Sequence, residues 1–283
     1  MKTSSSLSDL LAAQQHWTSP VALVPTMGAL HRGHLSLFRK AREAVGAEGT
    51  VVASIFVNPL QFDRPEDLQS YPRTIDDDLS LCQQEGVDHV FLPSATDFYS
   101  ENHSIMVLEK SLTSHLCGST RPGHFDGVCT VVLKLFNAVN PHVAIFGKKD
   151  YQQLAIIKRM VRDLNVPVQV IGAETFREED GLAMSSRNIN LTTEDRGDAP
   201  RIRKALLAAQ SLAITGEQDP AKYLNSARQQ LEGAPEEFKI DYLELVSQDT
   251  LQPISNVNEP ALLAIAAFYK NVRLIDNIEI NPA

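Results

Sequence analysis

Short apolar runs alternate with stretches of helical spacing along most of this chain. Ser8 through Trp17 carries helical spacing, with Leu7, Leu10 and Leu11 on related faces. Val21-Ala22-Leu23-Val24 has no polar interruption, and Thr50 through Val57 is a near-continuous β-rich run. Runs of this kind predict strands buried on both faces. Between them, Pro25 to His34 reads as a glycine-bearing turn and Leu35 to about Val45 as an amphipathic helix. The second run ends in the loop Asn58-Pro59-Leu60-Gln61-Phe62. Thr74-Ile75-Asp76-Asp77-Asp78 then opens a helix with acids in its first turn, where the dipole favours them. Asp88 to Pro93 is a third short strand. Cys117 to Gly127 is too rich in Gly and Pro for regular structure, and an apolar helix is expected from Val128 to about Val139. Val143 to Phe146 and Pro167 to Ile171 are further strands, flanking a helix that carries Gln152, Gln153 and Ile156. Strands alternating with helices over residues 20 to 172 predict an α/β fold with a doubly wound parallel sheet.

The pattern changes near Phe176 to Gly181. A polar loop, Met184-Ser185-Ser186-Arg187-Asn188, precedes helices over Ala199–Ala213 and Ala221–Leu231. Three strand-like runs follow: Ile240–Val246, Leu262–Phe268 and Val272–Ile275. Helices followed by clustered strands predict a smaller α+β C-terminal domain. The reading is thus two domains, 1–176 bearing the sheet and 177–283 covering the site.

Composition narrows the partners. With 283 residues, 43% of them hydrophobic, there is enough chain for a large core. The 26 Lys and Arg against 35 Asp and Glu leave a net charge of −9, which disfavours nucleic acid and anionic membranes as partners. An anionic small molecule is compatible where a few basic residues converge. Ala261 to Phe268 is too short an apolar run to span a bilayer, and the first residues lack the apolar region of a secretory signal. Cys82, Cys117 and Cys129 are odd in number and lack metal-type spacing, so reduced thiols in a cytoplasmic protein are expected.

Candidate chemistry concentrates in loops that follow strands. The first is Met27-Gly28-Ala29-Leu30-His31-Arg32-Gly33-His34, at a strand-to-helix turn. In open α/β sheets ligands sit off the carboxyl ends of strands, and a helix N-terminus offers N–H groups and a positive dipole end to an anion. Neither G-x-x-x-x-G-K-[ST] nor G-x-G-x-x-G occurs, so the turn reads as a histidine-based nucleotide cradle. The other loops carry Asn58 and Gln61, Lys149 and Asp150, and Ser185, Ser186 and Arg187. Lys149 and Arg187 supply fixed positive charge for a phosphoryl transition state. Asp150 reads as a ribose acceptor, a ligand of hydrated Mg²⁺, or one half of a solvated Lys149–Asp150 pair. Asn58, Gln61 and Gln153 are neutral amides that either cap turns and face water or hold a hydroxyl and a carboxylate without a counter-charge that would dull the carboxylate as a nucleophile. Arg121-Pro122-Gly123-His124 reads as a lid or as a structural loop. A zinc site on His31, His34 and His124 is weakly supported, with no nearby acid in a ligand pattern and no cysteine pair, and no residue is assigned as a metal ligand on this ground.

These stretches together resemble the pantoate–β-alanine ligase family, within the H-x-G-H nucleotidyltransferases. The resemblance rests on P-T-M-G-A-L-H-R-G-H, S-I-F-V-N-P-L-Q-F, Y-P-R-T-I-D-D-D-L, R-P-G-H-F-D-G-V-C-T-V-V-L-K-L-F-N, G-K-K-D-Y-Q-Q and D-G-L-A-M-S-S-R-N, in the family's order. It implies a Rossmann-like sheet domain, a smaller C-terminal domain and a homodimer. It also implies ATP-dependent condensation of (R)-pantoate with β-alanine to pantothenate, AMP and diphosphate, with Mg²⁺. Carried onto this chain, Met27 through His34 would wrap ATP, with His34 the proton donor. His31, Lys149 and Arg187 would be catalytic beside it. Gln61, Gln153 and Asn58 would hold pantoate, and Gln61 would also meet β-alanine. Gly147, Lys148, Lys149, Asp150, Phe176, Met184, Ser185, Ser186 and Arg187 would complete the ATP site. Two positions depart from the family's pattern. Lys148 stands where Glu or Gln is common and adds a charge beside the phosphates. Phe176 stands where a smaller apolar residue is common, which leaves its adenine contact to the backbone. The rival readings are a nucleotidyltransferase that leaves the nucleotide on its product and a nucleotide-binding scaffold without turnover.

Overall fold

The computed structural model describes residues 1–282. In chain order the first elements are β1 (Lys2–Ser4), α1 (Leu7–Gln14), β2 (Val21–Thr26), α2 (Arg32–Val45) and β3 (Thr50–Ile55). Next come α3 (Pro65–Ser70), α4 (Ile75–Gln84), β4 (His89–Phe91), α5 (Ala95–Phe98), α6 (Cys117–Thr120) and α7 (His124–Val139). The remainder are β5 (Val143–Gly147), α8 (Tyr151–Asp163), β6 (Gln169–Ala173), α9 (Thr193–Asp198), α10 (Arg201–Ile214), α11 (Pro220–Leu231), β7 (Phe238–Ser247), β8 (Ala261–Tyr269) and β9 (Val272–Ile280). They form two compact units. One holds Met1–Glu109, Pro122–Lys148 and Gln153–Glu174; the other holds Lys110–Arg121, Lys149–Gln152 and Thr175–Ala283.

In the first unit six parallel strands run in the order β1-β4-β3-β2-β5-β6. All of β3 is buried, which is why its residues show no polar alternation. Ala22 and Val24 of β2, with Val51, Ala53 and Ile55 of β3, pack under Phe38, Ala41 and Val45 of α2 and Cys82 of α4. Burying side chains of this size is worth about 1.5–3 kcal/mol each for the larger ones. On α7, the Val139 carbonyl accepts from Gln14 Nε2 of α1 at 2.8 Å. From β2 the chain builds outward through β3 to β4 and then returns to add β5 on the other side of β2. The carboxyl end of β2 is therefore the topological switch point, where open α/β sheets bind ligands.

The doubly wound parallel sheet is as expected, and several local details differ. Cys117 to Gly127 is not wholly irregular: Cys117–Thr120 is one helical turn, and α7 begins at His124 rather than Val128. Gly123 sits left-handed at φ +78° and sets α7 off, so the Gly and Pro here punctuate helices instead of abolishing them. Gly127 lies inside α7 because a Cβ there would come within 2.3 Å of the Leu60 carbonyl oxygen. The Met184–Asn188 loop leads into a short 3₁₀ turn over Ser186–Asn190.

In the second unit β7-β8-β9 form an antiparallel sheet covered by α10 and α11. Ile202, Leu206, Tyr223, Leu231, Leu263 and Ile265 are among its core residues. The last strand runs to Ile280, past the expected end at Ile275. The polar pair Asp276-Asn277, beyond that expected end, is buried in the strand because both side chains are matched. Asp276 accepts from both Nη atoms of Arg177 at 2.7 and 2.9 Å, and Asn277 Nδ2 donates to the Lys149 carbonyl at 2.9 Å.

Candidate active site

The turn at the carboxyl end of β2 is held in an uncommon backbone shape. Gly28 has φ +81° and Ala29 φ +49°, so two successive residues lie in left-handed space. A Cβ on Gly28 would meet Asp78 Oδ2 at 2.9 Å. That carboxylate, 2% exposed, is what fixes the turn. Its Oδ2 accepts from the Ala29 N–H at 3.0 Å and its Oδ1 from the Leu30 N–H at 2.7 Å, while Thr74 Oγ1 donates at 3.2 Å. In sequence Asp78 is visible only as an acid that suits the helix dipole, not as the anchor of a distant turn. The signal was the third acid of Asp76-Asp77-Asp78, which falls on the inner face of α4.

His31 is the N-cap of α2 and His34 its third residue, and each caps the other's backbone. His31 Nδ1 accepts from the Gly33 N–H at 3.2 Å, and His34 Nδ1 accepts from the His31 N–H at 3.3 Å. The rings lie 4.1 Å apart, tilted by 38°. Since both Nδ1 atoms are acceptors, the neutral tautomer of each ring carries its proton on Nε2. The turn therefore couples two imidazole Nε2–H donors to the start of α2, whose dipole favours an anion. Arg32, between them, is exposed.

The next loop adds amides to the same unit. Gln61 Nε2 lies 3.0 Å from Met27 Sδ, which places this amide against the histidine-bearing stretch. Asn58 is fully buried, and the Gln61 carbonyl is paired with His124 Nδ1 at 2.7 Å. His124 thus ties α7 to the Gln61 loop, the structural alternative for that segment. Gly147 ends β5 opposite Ala173, and Lys148 Nζ pairs with Glu174 Oε1 at 2.7 Å, so its extra charge is met by a carboxylate. Gln153 is half-buried in the first turn of α8.

The other expected residues belong to the second unit. Lys149 Nζ stands 3.7 Å from Asp150 Oδ2, a loose pair, and its carbonyl is the one held by Asn277. The Phe176 carbonyl accepts from the Met184 N–H at 3.0 Å, closing a small hairpin with the Arg177–Ala183 bridge. Ser185 caps the 3₁₀ turn by accepting from the Arg187 N–H at 3.3 Å, with Ser186 as its first residue. Asn188 pins this loop by donating to Glu178 Oε1 at 2.9 Å and to the Ala183 carbonyl at 3.2 Å. Burial pushes the Cys82 and Cys129 thiols up to about 12, so neither is a ready nucleophile.

A Rossmann-like sheet with H-x-G-H at its switch point, followed by a loop of buried amides, defines an α/β protein of the H-x-G-H class. The family model for pantoate-beta-alanine ligase matches residues 1–279, and the chain belongs to that family. A pantothenate synthetase of Akkermansia muciniphila is 54% identical over 260 residues, 92% of each chain. One from Fervidobacterium nodosum is 49% identical, covering 92% of this chain and 91% of its own. The crystal structure of pantothenate synthetase from Thermus thermophilus superposes with a TM-score of 0.93 at 46% identity, over the whole of both chains. The ligase of Francisella tularensis, complexed with beta-gamma ATP and beta-alanine, gives 0.79 at 33% identity over 98% of this chain and 97% of that one.

Proposed function

We propose that this protein condenses (R)-pantoate with β-alanine at the expense of ATP, giving (R)-pantothenate, AMP and diphosphate through a pantoyl adenylate, a step toward coenzyme A. The observation that carries the reading is the turn at β2, with two imidazoles oriented as Nε2–H donors and backbone held open by Asp78. Pantoate's carboxylate attacks the α-phosphorus in line, and diphosphate leaves with the bonding electrons of the bridging oxygen. The amine of β-alanine then attacks the activated carbonyl, and AMP departs. No covalent bond to the protein forms, so catalysis consists of positioning and charge stabilisation.

In this scheme Met27 through His34 wrap the triphosphate, and His34 donates from Nε2 to a phosphate oxygen as charge builds. His31 orients His34 through the reciprocal caps. Lys149 and Arg187 add fixed positive charge, and Gly147, Lys148, Asp150, Phe176, Met184, Ser185 and Ser186 complete the nucleotide contacts. Gln61 and Gln153 hold pantoate, and Gln61 also meets β-alanine. Asp150 fits the role of holding hydrated Mg²⁺: its carboxylate is half exposed and only loosely paired. Mg²⁺ would neutralise phosphate charge there. We place the enzyme in the cytoplasm as a homodimer; among the described residues no helix is long and apolar enough to cross a membrane.

Incubation with ATP, Mg²⁺ and pantoate, with and without β-alanine, tests the reading. Free AMP that requires both the acid and the amine is the expected result. A nucleotide retained on the final product would instead mark a nucleotidyltransferase, and ATP binding without acid-dependent diphosphate release would mark a scaffold.

A further inference from the structure

The hydrogen-bonding capacity of Asn58 is spent entirely inside the protein. Its Oδ1 accepts from the Leu60 N–H at 3.3 Å and from the Tyr99 hydroxyl at 2.8 Å. Its Nδ2 donates to the Gly127 carbonyl at 3.1 Å and to Gln61 Oε1 at 3.0 Å. A primary amide has two donors and two acceptor sites, and here all four are used. The side chain is 1% exposed, so it acts on a substrate only through a neighbour.

The direction of these bonds is not reversible. The Leu60 N–H can only donate and the Gly127 carbonyl can only accept, so turning the Asn58 amide over would set donor against donor and acceptor against acceptor. Tyr99 must therefore be the donor in its bond, and burial pushes its phenol well above the usual value, which keeps the proton in place. Gln61 must in turn offer its oxygen to Asn58. That leaves its Nε2 turned toward Met27 Sδ. A thioether is a weak acceptor, and exchanging it for a carboxylate strengthens the bond.

We propose that Asn58, fixed in direction by the Leu60 N–H and the Gly127 carbonyl and braced by the Tyr99 hydroxyl, is a positioning residue that sets the amide polarity of Gln61, so that its Nε2–H donor, and not its carbonyl, meets the carboxylate-bearing acid substrate. The proposal rests on the reading that Gln61 holds pantoate. A Gln61 turned the other way would present an acceptor to an anion. Selection of an acid thus depends on backbone groups one amide removed from Gln61, with the Tyr99 hydroxyl holding that amide in place, and Asn58 works by orienting Gln61 rather than as a direct ligand.

Full-length wild type, Tyr99→Phe, Gln61→Ala and the double variant decide the matter, assayed for pantoate-dependent diphosphate release with KM for pantoate and for ATP. Gln61→Ala is expected to raise the pantoate KM. Tyr99→Phe should raise it about three- to tenfold, the effect of one lost neutral hydrogen bond, with the ATP KM unchanged. The double variant should be no worse than Gln61→Ala, because Tyr99 then has no amide to orient. Asn58→Asp can accept but not donate, which turns Gln61 over and should raise the pantoate KM beyond that of Gln61→Ala. Additive effects in the double variant, or a Tyr99→Phe effect equal on both KM values, overturn the proposal. An unchanged pantoate KM in Gln61→Ala overturns the assignment of Gln61 itself, and the two failures are thereby distinguished. If Tyr99→Phe does not fold, the wild-type side-chain amide resonances of Gln61, identified by their absence from the Gln61→Ala spectrum, serve instead. They should shift when pantoate is added; resonances that stay in place overturn the assignment of Gln61, and a pantoate KM of Asn58→Asp no higher than that of Gln61→Ala overturns the proposal.

Discussion

His34 and Asp78 divide the work of one turn between a side chain aimed outward and one aimed inward. His34 uses Nδ1 to cap the helix and keeps its proton on Nε2. His34→Ala should lower adenylation by about 10²–10³, the usual cost of removing one transition-state donor, while leaving the fold intact. Diphosphate release in single turnover checks this, and a near-normal rate would remove His34 from the chemistry. Asp78 touches no substrate in our scheme, yet it satisfies the Ala29 and Leu30 N–H groups of a left-handed turn. An amide left unpaired in a buried place costs about 1–3 kcal/mol. Asp78→Ala should therefore cut adenylation at least about tenfold, and Asp78→Asn, which keeps one acceptor, should fall between the two. Equal rates for wild type and Asp78→Ala would show that the turn holds itself. The paired histidines were legible from sequence as an H-x-G-H turn. Asp78 was not, because its partner amides lie 48 and 49 residues away in the chain.

At the scale of elements, β1 and β4 show how a short edge strand is retained. His89 of β4 is 2% exposed, its Nε2 lies 2.8 Å from Ser4 Oγ of β1, and its ring rests 5.3 Å from Trp17. Burial, helped by the nearby charge of Lys2, lowers its pKa below the ordinary value. As pH falls below about 6.5 the unfolded chain takes up a proton that the folded ring resists. The unfolded state then binds more protons, so stability is full above that pH and is lost as pH falls toward the folded value. Thermal melts from pH 8 to pH 5 should show a falling Tm in wild type and a shallower fall in His89→Gln. Identical slopes would mean that other groups carry the acid sensitivity. β1 itself was not read from the sequence, since three residues at a chain end carry no period. α7 starts before the expected Val128 because Gly127, a helix breaker by composition, is required inside it by the Leu60 carbonyl beside it.

For the molecule as a whole, continuity in sequence and continuity in space differ. The second unit includes Lys110–Arg121 and Lys149–Gln152, drawn from the middle of the chain. Gln152 Nε2 donates to the Leu112 and His115 carbonyls at 2.7 and 2.8 Å, and Leu112 and Leu116 are fully buried. Residues 175–283 expressed alone lack both segments and should melt well below the same unit in the intact chain. A Tm equal to that of the full protein would show that the two inserted segments add nothing to its stability. A boundary near 176 follows from a shift in composition, which cannot reveal segments contributed from elsewhere.

The sequence by itself determined the class of fold, the family, and the strand-following turn and loops that bear the candidate residues. Each of those is written in local order: an apolar run, a glycine, a histidine spacing. Tertiary structure alone decided the direction of the Asn58–Gln61 amides, the anchoring of Ala29 and Leu30 by Asp78, and the burial of Asp276 and Asn277 in β9. These depend on which backbone donor or acceptor faces a side chain from a distant segment, and hydrophobic pattern carries no information about hydrogen-bond direction.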